Sequence, residues 1–139
     1  MRTDAADDTV VARETVLRCS PDEAWRWWTE PDRLVQWMGA TADIDLRPDG
    51  AIRIAYGNGA VMLGEVVRLD APRAFDFTWG WEDPAELIRP GGSRVEVRFE
   101  PTDVGTRVRV RHLDLPDGER AGHAEGWDYF LGRLGGVAG

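Results

Sequence analysis

The chain has 139 residues and a formal net charge of −8, with 25 acidic against 17 basic residues. That balance excludes a nucleic-acid surface, which needs a basic stripe to neutralise phosphates, and docking on an anionic membrane. All 17 basic residues are arginine, which removes Schiff-base chemistry, and one cysteine with two histidines is too few for an intramolecular disulfide or a usual zinc site. No apolar run reaches the length of a bilayer span, and the start MRTDAADD is acidic, unlike a signal peptide. The expectation is a cytoplasmic protein with no cofactor, no metal, no nucleic-acid partner and no membrane insertion.

Residues 1–8 are polar and read as a flexible N-terminal segment, leaving 9–139 as a single domain. TVVARETVLRC, rich in β-branched residues, predicts a strand over 9–19. In the next segment, SPDEAWRWWTEPDRLVQWM, Ser20, Pro21 and Glu23 form a capping-box pattern with proline at the first helical position. Thr29, Pro31 and Asp32 repeat it, so a second short helix is expected where the first stops. Ala24, Trp25 and Trp28 share one face of the first helix, and Leu34, Trp37 and Met38 one face of the second. Trp27 lies off that face, either as an exposed anchor for a partner or folded under the N-terminal segment.

From residue 40 the pattern changes to strands separated by turn chemistry: RPDG at 47–50, GNG at 57–59, DAPR at 70–73 and PTDVG at 101–105. Strands are expected near 41–47, 51–57, 61–69, 74–82, 93–100 and 105–113, and their short connections make an antiparallel meander. The one long break, EDPAELIRPGGS, carries its own apolar residues Leu87 and Ile88, as functional lids often do. A helix of roughly two dozen residues, opened by LPDGE, closes the chain. His123, Trp127, Phe130, Leu131 and Leu134 form one stripe along it, with Glu125, Asp128 and Gly132 opposite.

Strand alternation assigns the faces. Phe75, Phe77, Trp79 and Trp81 point one way, while Asp76, Thr78 and Gly80 point toward water. In the last two strands Arg94, Glu96, Arg98, Glu100, Arg107, Arg109 and Arg111 make a solvated face of cross-strand ion pairs. His112 shares parity with Val108 and Val110, and Tyr56 with Ile52 and Ile54, so both point inward.

The order of strand, two short helices, six-strand meander and long closing helix resembles the helix-grip fold of the START-like (SRPBCC) superfamily. The segments SPDEAWRWWTEPDRLVQWMG, GEVVRLDAPRAFDFTWGW and GHAEGWDYFLGRL are similar to bacterial homologues of the heat shock protein 90 ATPase activator, a group that includes proteins described as polyketide cyclases. The resemblance implies an α+β fold in which a curved antiparallel sheet of about seven strands wraps the long helix and encloses an apolar cavity. Where that family often has two tryptophans before a glycine, this chain has Trp37-Met38-Gly39, which implies a differently shaped cavity mouth.

Seven tryptophans are many for a chain of this length, and a wall of aromatics with a few convergent polar groups is what apolar-ligand pockets use. Trp37, Phe77, Trp79 and Trp81 are the candidate wall, with Trp127 and Phe130 from the helix, and Tyr56, His112 and His123 as its polar features. Each histidine has three open roles: a hydrogen-bonded core group, a ligand-orienting group, or a general acid or base. Gly122, Gly126 and Gly132 weaken the helix, either for close backbone approach or to let it shift. Glu65 is expected exposed at a sheet edge. Cys19 and Ser20 lack a neighbouring base, and GNG and GGS lack the strand-to-helix context of a phosphate loop.

The expected function is binding of a small hydrophobic or aromatic, lipid- or polyketide-like molecule between sheet and helix. Two alternatives stand beside it. One is a cyclase- or dehydratase-like enzyme using His112 or His123. The other is a stress-response module that activates a chaperone ATPase by surface contact, with a chaperone partner or a homodimer.

Overall fold

The computed structural model describes residues 10–139, so the segment read as 1–8 and the beginning of the first expected strand lie outside it. The first strand, β1, runs Val11–Leu17, and the chain then turns at Cys19 and Ser20 into helix α1, Pro21–Thr29. Ser20 caps α1 by accepting from the Glu23 N–H at 3.2 Å, but the capping box is only half made. The Glu23 carboxylate turns instead to Arg26 and Arg33. Helix α2 is a single turn, Pro31–Leu34, capped by Glu30 rather than Thr29. Thr29 is buried and its hydroxyl donates back to the Trp25 carbonyl at 2.9 Å, so it cannot serve the next helix.

The remaining strands are β2 Thr41–Ile44, β3 Ala51–Ala55, β4 Val61–Asp70, β5 Ala74–Trp81, β6 Ser93–Pro101 and β7 Thr106–Leu113. A turn of tighter helix at Asp117–Glu119 leads into α3, Arg120–Ala138, 19 residues long. All strands pair antiparallel in the order β1-β7-β6-β5-β4-β3-β2, so β2 to β7 form the meander and β1 returns to close it beside β7. The expected fold is the one observed. The register of β4 with β5 shifts between Val66 and Arg68, a bulge that bends the strand. Gly64 lies two residues before it, and a Cβ there would be 2.1 Å from the Thr78 carbonyl oxygen, so only glycine allows the two strands to approach.

The convex face is more than a solvated surface. Cross-strand pairs form as expected between Arg111 and Glu96 and between Arg109 and Glu100, while Arg98 and Arg107 reach strands beyond these two, to Asp76 and Glu14. Asp76 and Glu96, however, are themselves buried, because the arginine stems lie over them while the guanidinium groups reach water. Glu65 is exposed on this face, on an interior strand rather than an edge.

The concave face faces the helices. Beneath α1 and α2 it is filled: Trp28 packs on Trp37 with ring centroids 4.7 Å apart, and Trp25 packs edge-on against Phe75 and Phe99 at 5.9 and 5.5 Å. The gap left among Trp28, Met38, Ile52, Phe75 and Phe77 measures about 10 Å³, room for one water at most and far too small for a ligand. Trp27 is half-buried under the Arg33 guanidinium at 5.3 Å, so it is not the fully exposed anchor considered; the N-terminal segment of the other expectation lies outside the described residues. Helix α3 lies across the concave face and is held from outside by an Arg13–Asp128 pair at 2.7 Å and by Arg133, which donates to the Trp37 carbonyl.

Candidate functional site

Beyond the filled region, between the N-terminal half of α3 and the ends of β3, β4 and β5, the concave face opens into a cavity of about 330 Å³. This lies at the lower end of the range for small-molecule sites. Strand β5 presents Trp79 and Trp81, the turn after β3 presents Tyr56, Asn58 and Ala60, and α3 with its leading turn presents Gly118, Glu119, Gly122, His123, Gly126, Trp127 and Phe130. The walls are aromatic and angled: Trp79 meets Trp81 edge-on at 5.6 Å, and Tyr56 stands 5.8 Å from Trp81 and 5.7 Å from Phe130.

Six of the nine residues expected to line a cavity come together here: Tyr56, Trp79, Trp81, His123, Trp127 and Phe130. Three do not. Trp37 is completely buried in the filled half, its indole N–H donating to the Trp27 carbonyl at 2.8 Å. Phe77, two residues from Trp79 on the same face, packs between Phe75 and Trp79. His112 is inward but sealed, with none of its surface exposed. Met38, where the chain departs from the resembled family, is likewise in the filled half and away from the cavity mouth.

His112 has both ring nitrogens committed. The Trp127 N–H donates to Nδ1 at 3.1 Å, which leaves the proton on Nε2, and Nε2 donates to the Ser93 hydroxyl at 2.9 Å. Ser93 passes the chain on to the Trp79 carbonyl at 2.7 Å. Burial, with a smaller contribution from the His123 imidazole, pushes the His112 pKa down to about 3. The group is a neutral post that orients Trp127 and Trp79.

His123 is the opposite case. Its Nδ1 lies 2.8 Å from the Glu119 carbonyl, an acceptor only, so Nδ1 carries the hydrogen. In the neutral ring Nε2 is then a bare acceptor, and it has no partner. The Tyr56 hydroxyl and the Trp79 N–H are also sealed from solvent and unpartnered. Burial alone drives the Tyr56 hydroxyl pKa up, so it stays protonated. Among the described residues six buried side-chain nitrogen or oxygen atoms lack a partner, and these three belong to residues of one cavity.

Of the two roles considered for Gly122, Gly126 and Gly132, close backbone approach does not apply at any of them. A Cβ on Gly118, Gly122 or Gly126 would meet nothing within 4 Å. No neighbour requires them to be small; they widen the cavity. Asn58, Ala60, Gly118 and Glu119 were not anticipated, and the spacing of four among 118, 122 and 126 was the available signal. The loop after β5 is not a swinging lid. Ile88 is buried, its carbonyl accepts from the Trp81 N–H at 2.8 Å, and Arg89 donates to the carbonyls of Trp81 and Asp83. Burial and the nearby Glu23 raise the Cys19 thiol pKa, which disfavours its nucleophilic thiolate form. Among the described residues no cluster of His, Cys, Asp and Glu is arranged to hold a metal, and no helix is long and apolar enough to cross a membrane.

One further connection bears on function. Trp37, Trp28, Trp127, Trp79 and Trp81 follow one another at centroid separations of 4.7, 6.1, 5.5 and 5.6 Å, a continuous row from the filled half to the cavity.

A curved antiparallel sheet gripping a long C-terminal helix, with a cavity between them, defines the helix-grip, START-like class. The chain belongs to the family of activator of Hsp90 ATPase homolog 1-like proteins, whose model matches residues 18–139. An AHSA1-like protein from Rhizobium etli is 31% identical, with a TM-score of 0.73 over 93% of this chain and 81% of that one. The Aha1 dimer from Colwellia psychrerythraea is 18% identical and shares the fold with a TM-score of 0.79 over 93% and 95% of the two chains. DynU16, a protein of the dynemicin biosynthetic locus, is 23% identical with a TM-score of 0.80, covering 91% of this chain and 46% of that one. No curated protein matches the chain significantly.

Proposed function

We propose that the protein binds a small, largely apolar aromatic molecule in the cavity between β5 and α3. The observation that carries this reading is the set of three unpartnered polar atoms, on Tyr56, Trp79 and His123, in residues lining one aromatic cavity. A buried polar atom without a partner costs about 1–3 kcal/mol, and a ligand that parts the walls enough to reach these sealed atoms removes that cost. Burying about 200 Å² of ligand surface contributes about 5 kcal/mol at 25 cal/mol per Å². Likeness to a protein of a biosynthetic locus supports a small-molecule ligand, and a cytoplasmic site of action accords with the reduced single cysteine.

The test is calorimetric titration with neutral bicyclic aromatics such as 2-naphthol, on the wild type and on Tyr56→Phe and His123→Ala. Saturable micromolar binding that weakens about fivefold in each variant, one hydrogen bond's worth, is expected. Silence from a folded wild type across such a panel overturns the reading. A second reading is acid–base chemistry on the bound molecule. The free Nε2 lone pair of His123, held by Glu119 from the other side, favours it, and it excludes His112 as the acting group.

A further inference from the structure

We infer, resting on the cavity reading above, that the ligand is an aromatic amine: its ring lies among the aromatic walls and its ammonium faces the acidic mouth formed by Asp83, Glu86 and Glu119. The cavity continues outward into a second recess of about 450 Å³, bordered by Asn58, Trp81, Asp83, Glu86, Glu119 and His123. Trp81, Glu119 and His123 belong to both, so the two spaces share a wall. Three of the residues around the outer recess are acidic and none is an arginine.

The absence of arginine from both linings decides the sign. The chain carries 17 arginines, yet none borders either space. Arg120, adjacent to Glu119, turns away to Asp117 at 2.5 Å. Arg89 lies in the same loop as Asp83 and Glu86, but its guanidinium donates to the backbone carbonyls of Trp81 and Asp83. Arg53 reaches Glu82 rather than the mouth. Among the described residues, Asp83, Glu86 and Glu119 form no ion pair, and a carboxylate-bearing ligand would meet three like charges and no counter-ion.

One further feature favours a cation. Trp81 borders both spaces, and an indole ring beside three carboxylates attracts an ammonium group. The His123 Nε2 on the shared wall is unpartnered but sealed from solvent, as is the Trp79 N–H deeper in, so neither is reached without movement of the walls.

The test uses three probes with the same ring and a two-carbon chain but a cationic, neutral or anionic end: 2-phenylethylamine, 2-phenylethanol and phenylacetate. Each is titrated calorimetrically into the full-length wild type and into Asp83→Asn/Glu86→Gln, two exposed loop positions whose replacement leaves the core untouched. The amine is expected to bind at least about tenfold more tightly than phenylacetate, since each exposed charge pair contributes only a few-fold. The preference should shrink in the double variant and in 0.5 M salt, where exposed charges are screened. Equal or tighter binding of phenylacetate, or an amine preference unchanged in the double variant, overturns the inference. If 2-phenylethanol binds as well as the amine, the charge assignment fails while the cavity reading stands. If no probe binds and neutral bicyclic aromatics are silent too, both fall.

Discussion

The two halves of the concave face are built from the same residue types and end differently. Beneath α1 and α2, tryptophan and phenylalanine rings interlock with almost no space left. Beneath the first half of α3, a similar set of rings stands apart around an open cavity. The difference lies in what the covering helix presents. Helix α1 sends Trp25 and Trp28 down into the sheet, whereas α3 and its leading turn offer Gly118, Gly122 and Gly126 between Trp127 and His123. Aromatic content does not make a cavity; the missing side chains opposite do.

That contrast is most easily broken by truncating one ring in each half. Trp37→Ala, in the filled half, is expected to cost about 3–5 kcal/mol, as for other buried aromatics. Trp81→Ala, already beside open space, should cost under about 2 kcal/mol. Urea unfolding of both variants checks this, and equal losses would mean the halves are packed alike.

The sealed post between the halves, His112, makes a pH-dependent contribution. Its folded pKa of about 3 lies below the value near 6.5 of an unperturbed imidazole. Between those values the unfolded chain binds a proton that the folded chain refuses, so stability falls as the pH is lowered. The slope approaches about 1.4 kcal/mol per pH unit, and the contribution is fully present above pH 6.5. Unfolding free energies of the wild type and His112→Gln at pH 7 and 4.5 should therefore converge toward acid. Parallel slopes would show that His112 is not buried as a neutral group.

The smallest effect sharpens the comparison most. Gly126→Ala places a methyl where nothing stands within 4 Å, so it should raise stability by up to about 1 kcal/mol through helix propensity. The same methyl enters the cavity and should weaken ligand binding. Opposite signs in thermal melting and in titration mark a glycine kept for space; a loss of stability would mean that the helix packs there more tightly than the open wall implies.

Most of the fold was legible because its determinants are local. Turn chemistry at RPDG, GNG and DAPR and the alternation along β5 locate the strands without tertiary information. Parity likewise gave the inward direction of Tyr56 and His112, but direction is not depth. Whether an inward residue lines a space depends on the element above it, and the sequence near residue 112 says nothing of Trp127 or Ser93. Phe77 and Trp79 have identical local signals and differ only in what covers them. Asn58 and Ala60 lie in a turn, where periodicity carries no information about facing. The acidic pair Asp83 and Glu86 looked like ordinary loop polarity until the loop was seen pinned beside Trp81.

The row of five tryptophans running from Trp37 to Trp81 has an optical consequence. Indoles spaced by 4.7–6.1 Å exchange excitation energy before they emit, so light absorbed in the packed interior is shared with the ring at the cavity wall. A molecule that quenches Trp81 therefore drains the whole row, and the steady-state emission of the protein should be strongly depolarised even in a rigid, slowly tumbling sample. The protein carries an antenna whose terminal element is the proposed binding site.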